Sequence, residues 1–243
     1  MRLLGGFEVV FDGKRITEWG GQRGRTLLQF LIVRAQAVHR EVLMELLWPG
    51  HSYASARNNL NVCLYGLRRA VGAPADRQLI VYRASWYRLN DALRWDVDHD
   101  QFVAACTSMA VHDLSSSWSE ALEAGARGVA LYAGPLFDGE PLADWFVAQR
   151  VGLHELYLGT LERIAEIDME QGDLDAAEQS LQLLLQSDGC RESSHRLLMQ
   201  CFAAHGQRDL VARQYRRCVA ALRADLDIAP SPQTVDLFHQ LVG

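Results

Sequence analysis

A spacing of 34 residues relates two stretches in the second half of the chain, and it constrains the fold more than any other feature. The segment QGDLDAAEQSLQLLL begins at Gln171 and aligns with HGQRDLVARQYRRCV, which begins at His205. The matched positions pair Gly172 with Gly206, Ala177 with Val211, and Leu181 with Tyr215. This period, with a glycine at the turn, is typical of helix hairpins that stack on their neighbours. The spacing therefore predicts an all-helical second half.

Two hairpins cannot bury a continuous core by themselves, so further helices must complete the stack. Apolar residues with helical periodicity cover residues 120–132 and 142–169, and a last helix is expected around 233–241. Together with the 34-residue period, these patterns predict an all-α helical-repeat domain of the tetratricopeptide (TPR) type over residues 96–243.

The first 95 residues show a different order of elements. LLGGFEVVFDGKRIT predicts two short strands joined at Asp12-Gly13, a pair that favours a tight hairpin turn. QRGRTLLQFLIVRAQAVH and REVLMELLWPG then predict two helices, the second ended by Pro49 and Gly50. The residues expected to face inward are Leu27, Leu28, Leu31 and Ile32 in the first helix, and Val42, Leu43, Leu46 and Leu47 in the second.

A third helix is predicted over residues 52–72, SYASARNNLNVCLYGLRRAVG. Its three asparagines together cost about 2 kcal/mol of helix propensity relative to alanines. Its apolar stripe comprises Ala56, Leu60, Cys63, Leu64, Leu67, Ala70 and Val71. The opposite stripe contains no carboxylate and comprises Arg57, Asn58, Asn61, Val62, Tyr65, Arg68 and Arg69. Such a face suits nucleic acid, although an ordinary solvated helix face is the alternative. Asn59 lies beside the buried stripe, where we expect it to cap or bridge within the domain.

A final hairpin is predicted from Leu79–Tyr82 and Trp86–Leu89, with a tight turn near Arg83-Ala84-Ser85. Strands, three helices and a hairpin in this order predict an α+β winged helix-turn-helix over residues 1–95. In such a module the third helix enters the major groove of DNA. The hairpin forms the wing, where we expect Arg83 and Arg88 to contact the adjacent backbone or minor groove.

The net charge of -6 conceals an asymmetry between the two halves. Residues 1–95 hold 14 Lys and Arg against 7 Asp and Glu, whereas residues 96–243 hold 10 against 23. A basic module joined to an acidic one is typical of a nucleic-acid-binding unit attached to a unit that does not bind nucleic acid. This charge asymmetry favours a DNA-binding face on the third helix over an ordinary solvated face.

Other site types are not supported by the sequence. DVDHDQF, residues 96–102, starts like a calcium loop but has Gln101 where the loop needs glycine. GGQRGRT lacks the end of a phosphate loop, but at the start of the first helix it could offer backbone N–H groups, Arg23 or Arg25 to a DNA phosphate. The basic run RQYRRC, residues 213–218, is more simply a solvated face that balances acidic neighbours than a contact for DNA or polymerase.

Five cysteines form no CxxC pair, and no catalytic motif or metal-ligand spacing is present. We therefore expect no enzyme activity, catalytic residue, metal or cofactor. We also expect a cytoplasmic protein without a membrane partner, because no apolar run approaches 18 residues.

Several motifs resemble a known family. The first half resembles the OmpR-type winged helix at the N-terminus of the antibiotic-regulatory (SARP) transcriptional activators. The resemblance is carried by LLGGFEV, LLWPG, SARNNLNVCLYGLRRAVG and LIVYRASWYRLN. The wing of that family usually ends in Gly-Tyr, whereas here Trp86 precedes Tyr87. The second half, over about residues 95–242, resembles the bacterial transcriptional activator domain that follows this winged helix in the family. The resemblance is carried by LYAGPLFDG, WFVAQRVGLHELYLGTLERIAEIDMEQGD and CRESSHRLLMQCFAAHGQRDLVARQYRRCVAALRADLDIAPSPQTVDLF.

The resemblance implies an activator that binds repeated promoter elements in double-stranded DNA and recruits RNA polymerase. By resemblance to OmpR-type modules, the polymerase contact is expected in the loop after the second helix, at Trp48, Gly50 and His51. Self-association is left open. The competing interpretation is a helical-repeat adaptor whose winged helix binds another protein.

Overall fold

The computed structural model describes residues 1–74, 77–140 and 144–243. The chain divides into two compact units. The first comprises Met1–Leu3 and Phe7–Val97, and the second comprises Leu4–Gly6 and Asp98–Gly243. The sequence-based domains, residues 1–95 and 96–243, remain a proposal for the functional division of the protein.

The first unit is a winged helix-turn-helix. Its described elements are β1 Val10–Phe11, β2 Lys14–Arg15, α1 Gln22–Arg34, β3 Val38–His39, α2 Arg40–Leu47, α3 Tyr53–Val71, β4 Ile80–Arg83 and β5 Trp86–Leu89. The strands β1 and β2 form a hairpin, and β3, β5 and β4, in that order, form a three-stranded antiparallel sheet. The fold class predicted from the sequence is confirmed for this half.

Two local predictions for the first unit were wrong. The helical segment that begins at Gln22 does not reach His39, because Ala35 adopts a left-handed conformation and ends α1. Val38–His39 instead forms β3, which pairs with Trp86 and Tyr87 of β5. In α2, Val42 is half exposed, and Met44 is buried in its place beside Leu43 and Leu47.

The segment Leu4–Gly6 belongs to the second unit although the chain on both sides of it belongs to the first. Leu4 and Gly6 each form a β-bridge with Leu136, and the Gly5 N–H donates to the Pro135 carbonyl at 3.0 Å. The Leu4 N–H donates to the Asp98 carboxylate at 3.0 Å. Because the Leu4 and Leu136 side chains are completely buried, this segment is part of the core of the helical unit.

The described part of the second unit is helical apart from the bridges with Leu4 and Gly6 and the connecting loops. The helix predicted over residues 142–169 is found, although its expected start at Leu142 lies outside the described residues. The helix at Asp98–Leu114 was not predicted from the sequence. The helices are α4 Asp98–Leu114, α5 Trp118–Leu131, α6 Asp144–Gln171, α7 Leu174–Ser187, α8 Glu192–Ala204, α9 Arg208–Asp225 and α10 Pro232–Val242.

The 34-residue period matches two helix hairpins, α6 with α7 and α8 with α9. Gly172 and Gly206 lie in their turns with φ of 82° and 72°, values that glycine adopts without the steric cost of a Cβ atom. The repeat positions Ala177, Leu181 and Val211 are completely buried in one core cluster. The predicted stack of helix hairpins is therefore confirmed. None of the described helices is long and apolar enough to span a membrane.

Candidate nucleic-acid interface

The helix α3 is held by its ends and by its apolar stripe. The Ser52 hydroxyl accepts a hydrogen bond from the Ser55 N–H at the N-terminus, and the helix ends at Gly72. Side chains at the predicted inward positions Ala56, Leu60, Cys63, Leu64 and Leu67 are at most 7% exposed. Burial of this stripe offsets the low helix propensity of the asparagines on the other side.

The opposite side of α3 faces solvent within the first unit. Two apolar side chains stand out there, because Val62 is 62% exposed and Tyr65 is 66% exposed. No Asp or Glu occurs in the helix, and none of its arginines forms an ion pair with a described residue. All seven residues predicted for DNA contact lie on this exposed face: Arg57, Asn58, Asn61, Val62, Tyr65, Arg68 and Arg69.

The asparagine side chains of α3 make no hydrogen bond with any described residue. Asn58 and Asn61 are exposed, so their amides are open to a partner. Asn59 is half buried, but the bridge that we expected it to make within the domain is absent from the described part of the chain. It lines a shallow cleft of about 580 Å³ together with Val62 and Arg23. Asn59 is therefore a candidate contact in addition to Asn58 and Asn61.

The N-terminus of α1 is placed beside α3 by a close approach of two glycines. A Cβ atom on Gly20 would lie 2.4 Å from the carbonyl carbon of Gly66, and Gly20 has a φ of +66°. Only glycine fits this crossing without a shift of the backbone. Gln22 and Arg23 of α1 consequently line the same cleft as Asn59 and Val62 of α3.

The two arginines considered for a phosphate contact differ in their surroundings. Arg23 is exposed, with its guanidinium 5.3 Å from the centre of the Trp48 ring. Arg25 is half buried, and its guanidinium lies within 6 Å of the rings of Phe7 and Trp19. Because Arg25 packs inside the unit, Arg23 is the better candidate for a phosphate contact.

The hairpin of β4 and β5 carries the predicted wing residues. Its turn places Ala84 and Ser85 at φ of 48° and 73°, and the Ser85 carbonyl accepts a hydrogen bond from the Arg40 N–H at 2.8 Å. Arg83 is exposed and forms no ion pair with a described residue. Arg88 is also exposed but pairs with Asp91 at 2.8 Å. Arg83 therefore has the less compensated charge of the two.

Trp86, which occupies the position of the family's usual glycine, is half exposed on the hairpin. Its ring meets the His39 imidazole edge to face at 5.2 Å. Trp86 shares an open cleft of about 620 Å³ with Arg83 and Arg88. An exposed aromatic ring that shares a cleft with two arginines is a feature of this wing that the residue order alone did not reveal.

The loop predicted to contact polymerase has one buried and two exposed members. Trp48 is 4% exposed, so its indole packs inside the unit. Gly50 and His51 are exposed, and the His51 ring lies 3.5 Å from the Ser55 hydroxyl. The polymerase contact stays a prediction. Of its three residues, Gly50 and His51 are accessible to a partner, whereas the Trp48 side chain is buried.

The described residues combine a winged helix-turn-helix unit with a unit of stacked helix hairpins. A family model described as the bacterial transcriptional activator domain matches residues 97–242. The chain therefore belongs to this family, whose members are transcription regulators and not enzymes.

One solved structure with the same fold is that of Mycobacterium tuberculosis EmbR in complex with a low-affinity phosphopeptide. The two chains are 22% identical and superpose with a TM-score of 0.80. The similarity covers 99% of this chain and 64% of the EmbR chain, so this chain spans less than two thirds of that protein. No curated protein matches the chain.

Proposed function

We propose that the chain is a sequence-specific DNA-binding transcriptional activator, which binds repeated promoter elements through its winged helix and recruits RNA polymerase. The observation that carries this proposal is the exposed face of α3, which combines arginines and asparagines with no carboxylate. Arginine suits phosphates and guanine, and the asparagine amide matches the major-groove edge of adenine. The exposed Val62 could contact a thymine methyl group.

Charge supports the same proposal. The positive charge of residues 1–95 would attract the phosphate backbone, whereas the negative charge of residues 96–243 would be repelled by it. We assign the polymerase contact to the loop at Gly50 and His51 and to the helical unit. These roles rest on the family resemblance and on the exposure of the loop.

Binding to DNA is tested with the whole 243-residue chain. A fragment that ended at Val97 would lack the second unit, to which Leu4–Gly6 belong. Duplexes are first selected from a random 30-base-pair library, and the affinity for a selected duplex is then measured from 50 to 300 mM salt. DNA binding predicts a steep salt dependence and a preference for the selected duplex over a scrambled one. A chain that uses its winged helix for protein contacts only would show neither, and that outcome would favour the adaptor interpretation.

The side-chain roles are separated by two variants of α3. Asn61→Ala should lower the affinity for the selected duplex by about 1 to 3 kcal/mol while sparing the scrambled duplex, because a base contact is lost. An unchanged ratio of the two affinities would exclude Asn61 from base recognition.

Arg69→Ala should instead weaken binding to both duplexes and reduce the slope of log K against log salt by about 0.9, because one phosphate contact is lost. Arg77→Ala is the matched control, since the Arg77 guanidinium is already paired with both oxygens of Asp12 at 2.8 Å. A similar change of slope in both variants would remove Arg69 from the interface.

A further inference from the structure

A cleft in the second unit, remote in sequence from the winged helix, has a polar lining that no part of the proposed function uses. It has a volume of about 500 Å³ and is formed by α7, α8 and α9. Its lining contains three glutamines and one arginine but no Asp or Glu, in a half of the chain that is otherwise strongly acidic. The lining residues are Gln182, Leu185, Gln186, Gly189, His195, Leu198, Gln214, Arg217 and Ala221.

Two polar side chains in this cleft are almost completely buried. Gln214 is 2% exposed and His195 is 3% exposed. The Gln214 amide nitrogen donates to His195 Nδ1 at 2.7 Å, and His195 Nε2 donates to the Gly189 carbonyl at 2.9 Å. Burial lowers the pKa of His195, which favours this neutral form of the ring.

This chain of hydrogen bonds orients the Gln214 amide but leaves its oxygen without a partner among the described residues. The Gln214 oxygen is not fully enclosed by the protein, so it can accept a hydrogen bond from the N–H donor of a ligand in the open cleft. The backbone of an extended peptide supplies such donors at regular intervals. Gln182 and Gln186, one helical turn apart on α7, add exposed amides that can both donate and accept.

The positive charge of Arg217 favours a ligand that carries a negative charge. Arg217 is exposed at the edge of the cleft and forms no ion pair with a described residue. Within the basic run on α9, Arg213 pairs with the carboxylate of Asp209 at 3.6 Å, and the Arg216 Nε donates to the Ala212 carbonyl. In the described part of the chain no carboxylate lies within ion-pair distance of Arg217, although Asp188 and Glu192 act electrostatically on His195, as Arg217 does. A carboxylate on the ligand would supply the missing partner.

We propose that this cleft binds an extended, acidic peptide segment of a partner protein, with a peptide carboxylate on Arg217 and peptide backbone groups on the glutamine amides. The proposal goes beyond DNA binding and does not depend on it. DNA is a less suitable ligand here because the cleft holds one cation among amides, whereas phosphate backbones are bound by arrays of cations.

The test is a selection of random 12-residue peptides displayed on phage against the immobilised full-length chain. Selected peptides are synthesised with a fluorophore, and their affinities are measured by anisotropy for wild type, Arg217→Glu and Arg223→Glu. Arg223 is the matched control because it is exposed on the same helix but does not line the cleft. Circular dichroism verifies that each variant is folded.

We expect peptides rich in Asp or Glu that bind Arg217→Glu about tenfold or more weakly and Arg223→Glu with unchanged affinity, since one charge-assisted contact is lost. Replacement of the acidic residues of the peptide by their amides should cause a similar loss. Failure to select any peptide, or equal binding to both variants, would overturn the proposal. So would an Arg217→Glu variant that loses affinity for DNA, because α9 would then be a DNA contact. The variants of α3 test DNA binding independently.

Discussion

The carboxyl of Asp168 provides a quantitative test of the electrostatics of the helical unit. Asp168 lies in the last turn of α6 and is 7% exposed. Burial, together with the nearby carboxylate of Asp173, raises the pKa of Asp168 from an ordinary value of 3.8 to about 6. The negative end of the helix dipole also disfavours a charge at this position. The folded state therefore prefers the protonated form of this carboxyl.

The direction of the pH effect follows from that preference. Well below pH 3.8 the carboxyl is protonated in both the folded and unfolded chains, so it adds no penalty. As the pH rises towards 6, the unfolded chain ionises first and is stabilised relative to the fold. A shift from 3.8 to about 6 corresponds to about 3 kcal/mol of lost stability once the pH exceeds both values, and to about half of that at pH 5.

We expect Asp168→Asn to raise the free energy of unfolding by about 1 to 3 kcal/mol at pH 7.5, and by about half as much at pH 5. The measurement is urea unfolding of the full chain followed by far-ultraviolet circular dichroism at both pH values. Asp175→Asn is the matched control, because its carboxylate on α7 is 87% exposed and should change stability by less than about 0.5 kcal/mol. A stabilisation of equal size at the two pH values, or a loss of stability at pH 7.5, would refute the reasoning.

Two further predictions concern the winged helix. Gly20→Ala should destabilise it by about 2 kcal/mol or more, because the new Cβ atom would lie 2.4 Å from the Gly66 carbonyl carbon and alanine is strained at the φ of +66°. Thermal unfolding measures the loss of stability. An unchanged unfolding midpoint would contradict the close approach of Gly20 to Gly66. Ser85→Gly should stabilise the wing by about 1 kcal/mol, because Ser85 occupies a left-handed conformation in the hairpin turn. If hydrogen exchange of β4 and β5 amides were no slower in that variant, the strain assigned to the turn would be wrong.

Elements whose signals are local could be predicted from the sequence. The Asp12-Gly13 turn, the buried stripe of α3 and the hairpins around Gly172 and Gly206 each follow from residues near one another in the chain. The exposed face of α3 followed from the same periodicity, because a residue opposite a buried stripe faces solvent.

Features that depend on distant partners could not be predicted. In the eight-residue α2, the apolar residues at 42, 43, 44, 46 and 47 fit more than one inward face, and tertiary packing chose the face with Met44. The two residues of β3 form a strand only because β5 lies beside them. The cleft around Gln214 likewise combines residues of three helices whose packing the periodicity does not specify.

The path of the first six residues affects the order in which the protein can fold during synthesis. Leu4 leaves the ribosome about 130 residues before its partner Leu136, a delay on the order of ten seconds at ordinary translation rates. The strands and helices of the first unit are complete within that interval, while Leu4–Gly6 has no partner yet. Leu4, whose side chain is completely buried in the folded protein, therefore stays exposed on the nascent chain until the turn after α5 emerges, and a chaperone can bind it in that period.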